Sequence, residues 1–159
     1  MATDVPQLLI TLHKEPFEPI ALLCDWQRLA SDAAQAAADP RPAAESLFVG
    51  RVRPTAADGT PLLALELEHY PGMTERQLAQ LAQSCCRRHG ASHCCIAHRI
   101  GRVLPGEAIV LVAIGADRRG PAQRCCSELL EALKHDAPFW KREWRADGSS
   151  HWITGNTPL

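Results

Sequence analysis

The chain has 159 residues, 46% hydrophobic and 22% charged, with 17 Lys and Arg against 18 Asp and Glu for a formal charge of -1. Those figures fit a single soluble domain with a real core and exclude collagen-like, disordered and membrane-spanning chains. A near-neutral molecule has no overall field to draw it onto nucleic acid or anionic lipid, so any basic site must be local.

No stretch reaches the roughly 20 apolar residues that cross a bilayer. The N-terminus lacks the basic lead, apolar run and small-residue cleavage site of a secretory signal, so the expectation is a cytoplasmic protein. QLLITL (7–12) predicts an opening strand, EPFEP a turn, and ALLCDWQRLA a short helix. Residues 31–46 are Ala-rich, with two prolines and hardly a large apolar residue to anchor them, and read as a flexible surface loop.

LFVGRVR (Leu47 to Arg53) predicts a strand, PTAADGTP its turn, and LLALELEHY (Leu62 to Tyr70) a second strand. Leu63, Leu65 and Leu67 of that strand face inward and Glu66 and Glu68 face solvent. After Pro71 and Gly72, Thr74 is the expected N-cap of a helix carrying Leu78, Leu81, Ala82 and Cys85 on one stripe, and Gly90 ends it.

SHCCIAHRI (92–100) and EAIVLVAIG (107–115) read as strands, the second apolar on both faces and therefore central. Pro121 opens a second amphipathic helix that runs to Lys134. Asp147 and Gly148 then turn a terminal hairpin rich in tryptophan. The sum is one α+β domain over residues 1–159, with two main helices on a largely antiparallel sheet.

Seven cysteines suggest a disulfide or metal framework until their spacing is read: apart from Cys24 they form three adjacent pairs, Cys85/Cys86, Cys94/Cys95 and Cys125/Cys126. Neighbours on a strand point to opposite faces and on a helix diverge by about 100°, so such pairs suit buried small hydrophobes better than a tetrahedral zinc site. CxxC, HExxH, GxSxG, P-loop and GxGxxG patterns are absent. The expectation is no bound metal or cofactor.

Four basic groupings remain: Arg51 with Arg53, His98 with Arg99, Arg118 with Arg119, and Lys134 with Lys141 and Arg142. Arg51 and Arg53, two apart on a strand, share a side and can grip one anion. Arg118 and Arg119 precede a helix, where free backbone N–H groups favour phosphate or carboxylate. Lys134 and Lys141 flank a Pro-Phe-Trp stretch that can desolvate an ammonium and lower its pKa. Each group also has a plainer reading as a solvated or helix-end charge. Glu66 and Glu68 are simply a strand's solvent face.

Three strings, VGRVR followed by LELEHYPGMTE, then AHRIGRVLPGEAIVLVAIG, then LKHDAPFWKRE, occur in an order and spacing that resemble the large catalytic subunit of molybdopterin synthase, the MoaE family, from about Leu47 to Trp152. The resemblance implies an α/β hammerhead-type fold and a homodimer at the centre of a heterotetramer with two small ubiquitin-like, MoaD-like sulfur carriers. It implies a sulfurtransferase of molybdenum cofactor biosynthesis. The carrier's thiocarboxylated Gly-Gly tail enters a pocket and delivers two sulfurs to cyclic pyranopterin monophosphate, giving molybdopterin.

By the same resemblance Lys134 and Lys141 match the family's catalytic lysines, and Arg51, Arg53, Arg119, Arg142 and Glu143 match substrate-pocket positions. Arg118 stands where the family has His, and Gln123 and Arg124 where it has Phe-Glu. An arginine holds an anion but does not release a proton near neutrality. Asn156 stands where the family has a basic residue contributed across the dimer. These departures leave open a divergent carrier-binding subunit that has lost its chemistry, and the basic groupings alone also fit an anion-binding enzyme that acts on another phosphate ester without a carrier.

Overall fold

A computed structural model describes residues 5–37 and 42–154. Two four-stranded sheets and three helices follow the order β1 (Gln7–His13), α1 (Pro19–Ala37), β2 (Ala44–Arg51), β3 (Leu62–Glu68), α2 (Met73–His89), β4 (Ala91–Arg99), β5 (Gly101–Val103), β6 (Ala108–Ala116), α3 (Arg119–His135), β7 (Trp140–Arg145) and β8 (Ser150–Trp152). The first sheet runs β1-β4-β6-β2 and the second β5-β3-β7-β8. All pairings are antiparallel except β1 with β4, which is parallel.

Alternation along the two inner strands sorts the core. Cys94, Ile96, Val110, Val112 and Ile114 face one way, packing on Leu78, Ala82 and Cys86 of α2 and on Cys125 and Leu129 of α3. Cys95 and Ala113 face the other way, against Trp26 of α1. The sheet is therefore covered on both sides, as the doubly apolar β6 requires. Six cysteines fill this core as small hydrophobes and all seven are free; burial pushes the Cys85 and Cys95 thiols up to about 11, which keeps them protonated and inert.

Several expectations are corrected here. The first helix is long, covers the second face of the sheet, and is a third main helix beside the expected two. It runs through residues 31–37, and β2 begins at Ala44, so these parts of the 31–46 stretch are not loop; residues 38–41 lie outside the described residues. Alanine is the strongest helix former and needs no large anchor once Trp26 and Ala30 are buried. Thr74 is not a cap: Gly72 caps α2, the Glu75 carboxylate accepts from its N–H, and Thr74 is buried with its hydroxyl donating to the Tyr70 carbonyl. A register shift between Leu62 and Ala64 buries Ala64 and leaves Leu63 half exposed. The short strand β5 was not foreseen.

Other elements fall where the sequence puts them. Gly90 caps α2 in the left-handed conformation at φ 69. The terminal hairpin turns at Asp147 and Gly148, with the Ser149 N–H donating to the Asp147 carboxylate. Phe139, in the link from α3 to β7, touches both the main core and a smaller cluster of Val52, Leu67 and Val103 between the sheets.

Candidate active site

The polypeptide leaves α3 at His135 and enters β7 at Trp140 through Ala137, Pro138 and Phe139. That short link folds the end of the helix onto the start of the strand. Lys134, in the last turn of α3, and Lys141, the second residue of β7, thereby line one cavity of about 150 Å3 with Ala137, Phe139, Ile153 and Thr154. Pro138 cannot extend the helix, which is why the chain breaks between the two lysines.

Their environments differ. Lys134 is about one-third exposed and its Nζ lies 3.7 Å from Glu131 Oε1, one helical turn back. The other Glu131 oxygen is 3.6 Å from His135 Nε2. Lys141 sits deeper, opposite Leu67 in the β3–β7 register. Burial, reinforced by the Lys134 charge, holds its ammonium below the ordinary lysine pKa. A cavity with one hydrated and one partly desolvated cation suits an anion and a nearby proton transfer.

Beneath them lies His98, 6% exposed on β4, with its ring stacked on Phe139 at 4.1 Å between centroids and 11° between planes. Its Nδ1–H donates to the Arg99 carbonyl at 2.8 Å. Burial brings its pKa down to about 4, so the ring is neutral. The sequence offers His98 only in a basic grouping with Arg99 and in the AHRIG string, apart from the lysines, and does not mark Glu131 at all.

The remaining expected residues are dispersed. Arg51 and Arg53 are both exposed and flank the buried Val52 at the junction where Phe139 and Leu67 also pack, but neither lines the lysine cavity. Arg51 donates to the Gly106 carbonyl at 3.1 Å. Arg142 leaves β7 on the opposite face from Lys141: its guanidinium lies 4.4 Å over the Trp144 ring and 5.4 Å over Trp152, and donates to Ser150 Oγ. Glu143 shares the Lys141 face and pairs with Arg145 at 3.0 Å.

Arg118 and Arg119 lie at the other end of α3, about 22 Å from Lys134 by the rise of a helix. With Arg124 they line a separate, open groove of about 700 Å3. Arg118 is 77% exposed and 3.3 Å from Asp117. Asn156 lies outside the described residues. A larger cleft of about 780 Å3 is lined by Lys14, Arg99 and Arg102 but also by Glu66, Glu68 and Glu107. Its mixed charge gives it less call on an anion than the smaller cavity with its two lysines. Among the described residues, no group of three His, Cys, Asp or Glu is placed to hold a metal ion.

Comparison with known proteins assigns the chain to a family. The family described as MoaE protein matches residues 25–136, from within α1 to the end of α3. The chain belongs to the MoaE family. The molybdopterin synthase catalytic subunit of Ralstonia nicotianae is 39% identical over 129 residues, 81% of this chain and 72% of that protein. Its counterpart in Caulobacter vibrioides is 37% identical over 92% of this chain and 89% of its own length. Among solved structures, the molybdopterin biosynthesis MoaE protein from Burkholderia ambifaria superposes with a TM-score of 0.71 at 37% identity, covering 92% of this chain and 89% of that one. Molybdopterin synthase from Staphylococcus aureus gives 0.72 at 25% identity, covering 98% and 100%. The MoaE match begins well before Leu47, so the N-terminal helix belongs to the family region as well.

Proposed function

We propose that the protein is the catalytic, large subunit of a molybdopterin synthase, a sulfurtransferase that converts cyclic pyranopterin monophosphate to molybdopterin. The observation that carries this reading is the meeting of Lys134 and Lys141 in one cavity of a MoaE-family chain. Sulfur comes from the thiocarboxylated C-terminus of a small ubiquitin-like carrier, and the subunit itself needs no metal or cofactor. Lys134, the more accessible cation, receives the carrier's terminal carboxyl group. Lys141 lies deeper, where a desolvated ammonium stabilises the oxyanion formed when water attacks the carrier's acyl carbon after sulfur has bonded to the pterin precursor; the acyl–sulfur bond then breaks, sulfur stays on the precursor and the tail leaves as a carboxylate.

Partner chains complete the site in this reading. A cavity of about 150 Å3 is small beside the roughly 300–1,000 Å3 of ordinary ligand pockets. Arg118 and Arg119 cannot reach the lysines of their own chain across the length of α3, so they contribute to phosphate binding only from a second copy, as in a homodimer flanked by two carriers. Arg51 and Arg53, exposed outside the lysine cavity, are assigned in this reading to guiding the tail or the phosphate. Among the described residues no helix is long and apolar enough to cross a membrane, and seven free thiols accord with a reducing cytoplasm.

A single-turnover reaction tests the proposal. Purified protein, thiocarboxylated carrier and cyclic pyranopterin monophosphate are expected to yield molybdopterin, read as its fluorescent oxidation product. Carrier binding without product identifies a noncatalytic binding subunit instead.

A further inference from the structure

Lysines on a surface are ordinarily free to swing into water, so whatever holds Lys141 in place matters to any chemistry there. Phe139 lines the cavity two residues before Lys141 on the chain, and the ring stacked on it is that of His98. The imidazole is fixed from several sides. Its cross-strand partners are Leu12 on β1 and Val110 on β6, and its Nδ1–H is committed to the Arg99 carbonyl. Arg99 is itself 2% exposed and anchored by Glu107 and by the Lys14 and Arg102 carbonyls. A rigid chain of contacts thus runs from the sheet core through His98 to Phe139.

Plain packing needs no imidazole at such a position, since burying a polar ring costs more than burying leucine or phenylalanine. The ring offers a flat stacking face together with an N–H that locks its rotation. We infer that His98 is a positioning residue for Lys141: its locked imidazole holds the Phe139 ring in place, and that aromatic wall fixes how deeply the Lys141 ammonium sits. The inference deepens the function proposed above and rests on it only for the activity, not for the geometry.

The titratable surroundings of Lys141 are few. Lys134 and His135 face it from the end of α3, His98 lies behind Phe139 on β4, and Glu143, two residues along β7, is paired with Arg145. Leu67 is its neighbour on β3. Loss of the wall therefore admits water with no new carboxylate, and the ammonium becomes easier to keep charged.

The chain has only three lysines, Lys14, Lys134 and Lys141, so reductive methylation of the full protein with 13C-formaldehyde gives a small set of signals assignable with Lys→Arg variants. Titration by NMR is expected to show the Lys141 midpoint moving up by about half a pH unit or more in His98→Ala, with Lys14 unmoved. His98→Phe, which restores a ring against Phe139, keeps the midpoint near that of the parent protein. A His98→Ala protein whose Lys141 titrates as in the parent overturns the inference. Should that variant fail to fold, Phe139→Leu removes the same wall from the other side and must shift Lys141 upward, or the inference falls. A shifted midpoint in the variant, with a parent protein that makes no molybdopterin, upholds the positioning role and sinks the proposed activity; an unshifted midpoint in the variant, with full turnover by the parent, does the reverse.

Discussion

Lys134 and Lys141 come from different elements, the last turn of α3 and the start of β7, yet line the same cavity, and the charge of the first helps depress the pKa of the second. The two cations are not equivalent. One is wet and paired with Glu131, and the other is largely withdrawn from water. That asymmetry divides the work between an outer residue that receives an anion and an inner one that stabilises developing charge.

Removing the outer cation separates folding from chemistry. Lys134→Ala is expected to cut the single-turnover rate by about 100-fold or more. Because Lys134 is one-third exposed, its thermal midpoint stays within about 2 °C of the parent. Calorimetry alongside the rate measurement checks both halves.

Glu131 competes with any carboxylate for Lys134. Glu131→Gln is expected to tighten binding of the unmodified carrier by about threefold at low salt, in line with the modest worth of exposed pairs. Titration calorimetry across a salt series reads this, and the gain shrinks as ionic strength rises.

The lowered Lys141 pKa makes stability depend on pH in a defined direction. Between the folded value and the ordinary 10.5 the unfolded chain binds the extra proton, so stability rises with pH through that window. Lys141→Met relieves the buried charge. It is expected to be more stable than the parent at neutral pH, by about 1 kcal/mol in urea unfolding, and the difference closes as pH approaches 10.5.

His98 acts at the acid end. Its folded pKa of about 4 lies below the ordinary 6.5, and its neutral form is the one the fold accepts. Its contribution is therefore complete above pH 6.5 and is lost as pH falls from 6.5 toward about 4. Unfolding free energies from urea titrations across that range are expected to fall less in His98→Phe than in the parent, by about 2–3 kcal/mol at the acid limit.

Arg142 serves the hairpin. Held between Trp144 and Trp152 on the face of β7 away from Lys141, it is expected to cost about 1 kcal/mol of stability when replaced by alanine. The Lys141 midpoint, read by the same NMR titration, is expected to stay unchanged in that variant.

What the sequence made legible follows from the physics of each element. The stripes of α2 and α3 and the doubly apolar β6 announce their burial through periodicity. The Ala-rich end of α1 carries no such stripe, because alanine supports a helix through the backbone rather than by a large side chain, and so reads as loop. Leu63 changes face through a bulge that no alternation rule foresees. Lys134 and Lys141 stand out through the motif around them, whereas their convergence depends on how Pro138 and Phe139 turn the chain. His98 is hidden for a different reason: an imidazole in an apolar strand looks like core, and only its stack on Phe139 ties it to the site. The separation of Arg118 and Arg119 from the lysines is a matter of helix length that becomes decisive once both ends of α3 are fixed.

The most direct test of the central claim compares the parent protein with Lys134→Ala in one single-turnover reaction with thiocarboxylated carrier and cyclic pyranopterin monophosphate. Molybdopterin fluorescence that develops with the parent and is lost with the variant, while both still bind carrier, is the predicted result. Equal product from the two, or carrier bound by the parent with no product at all, would contradict it.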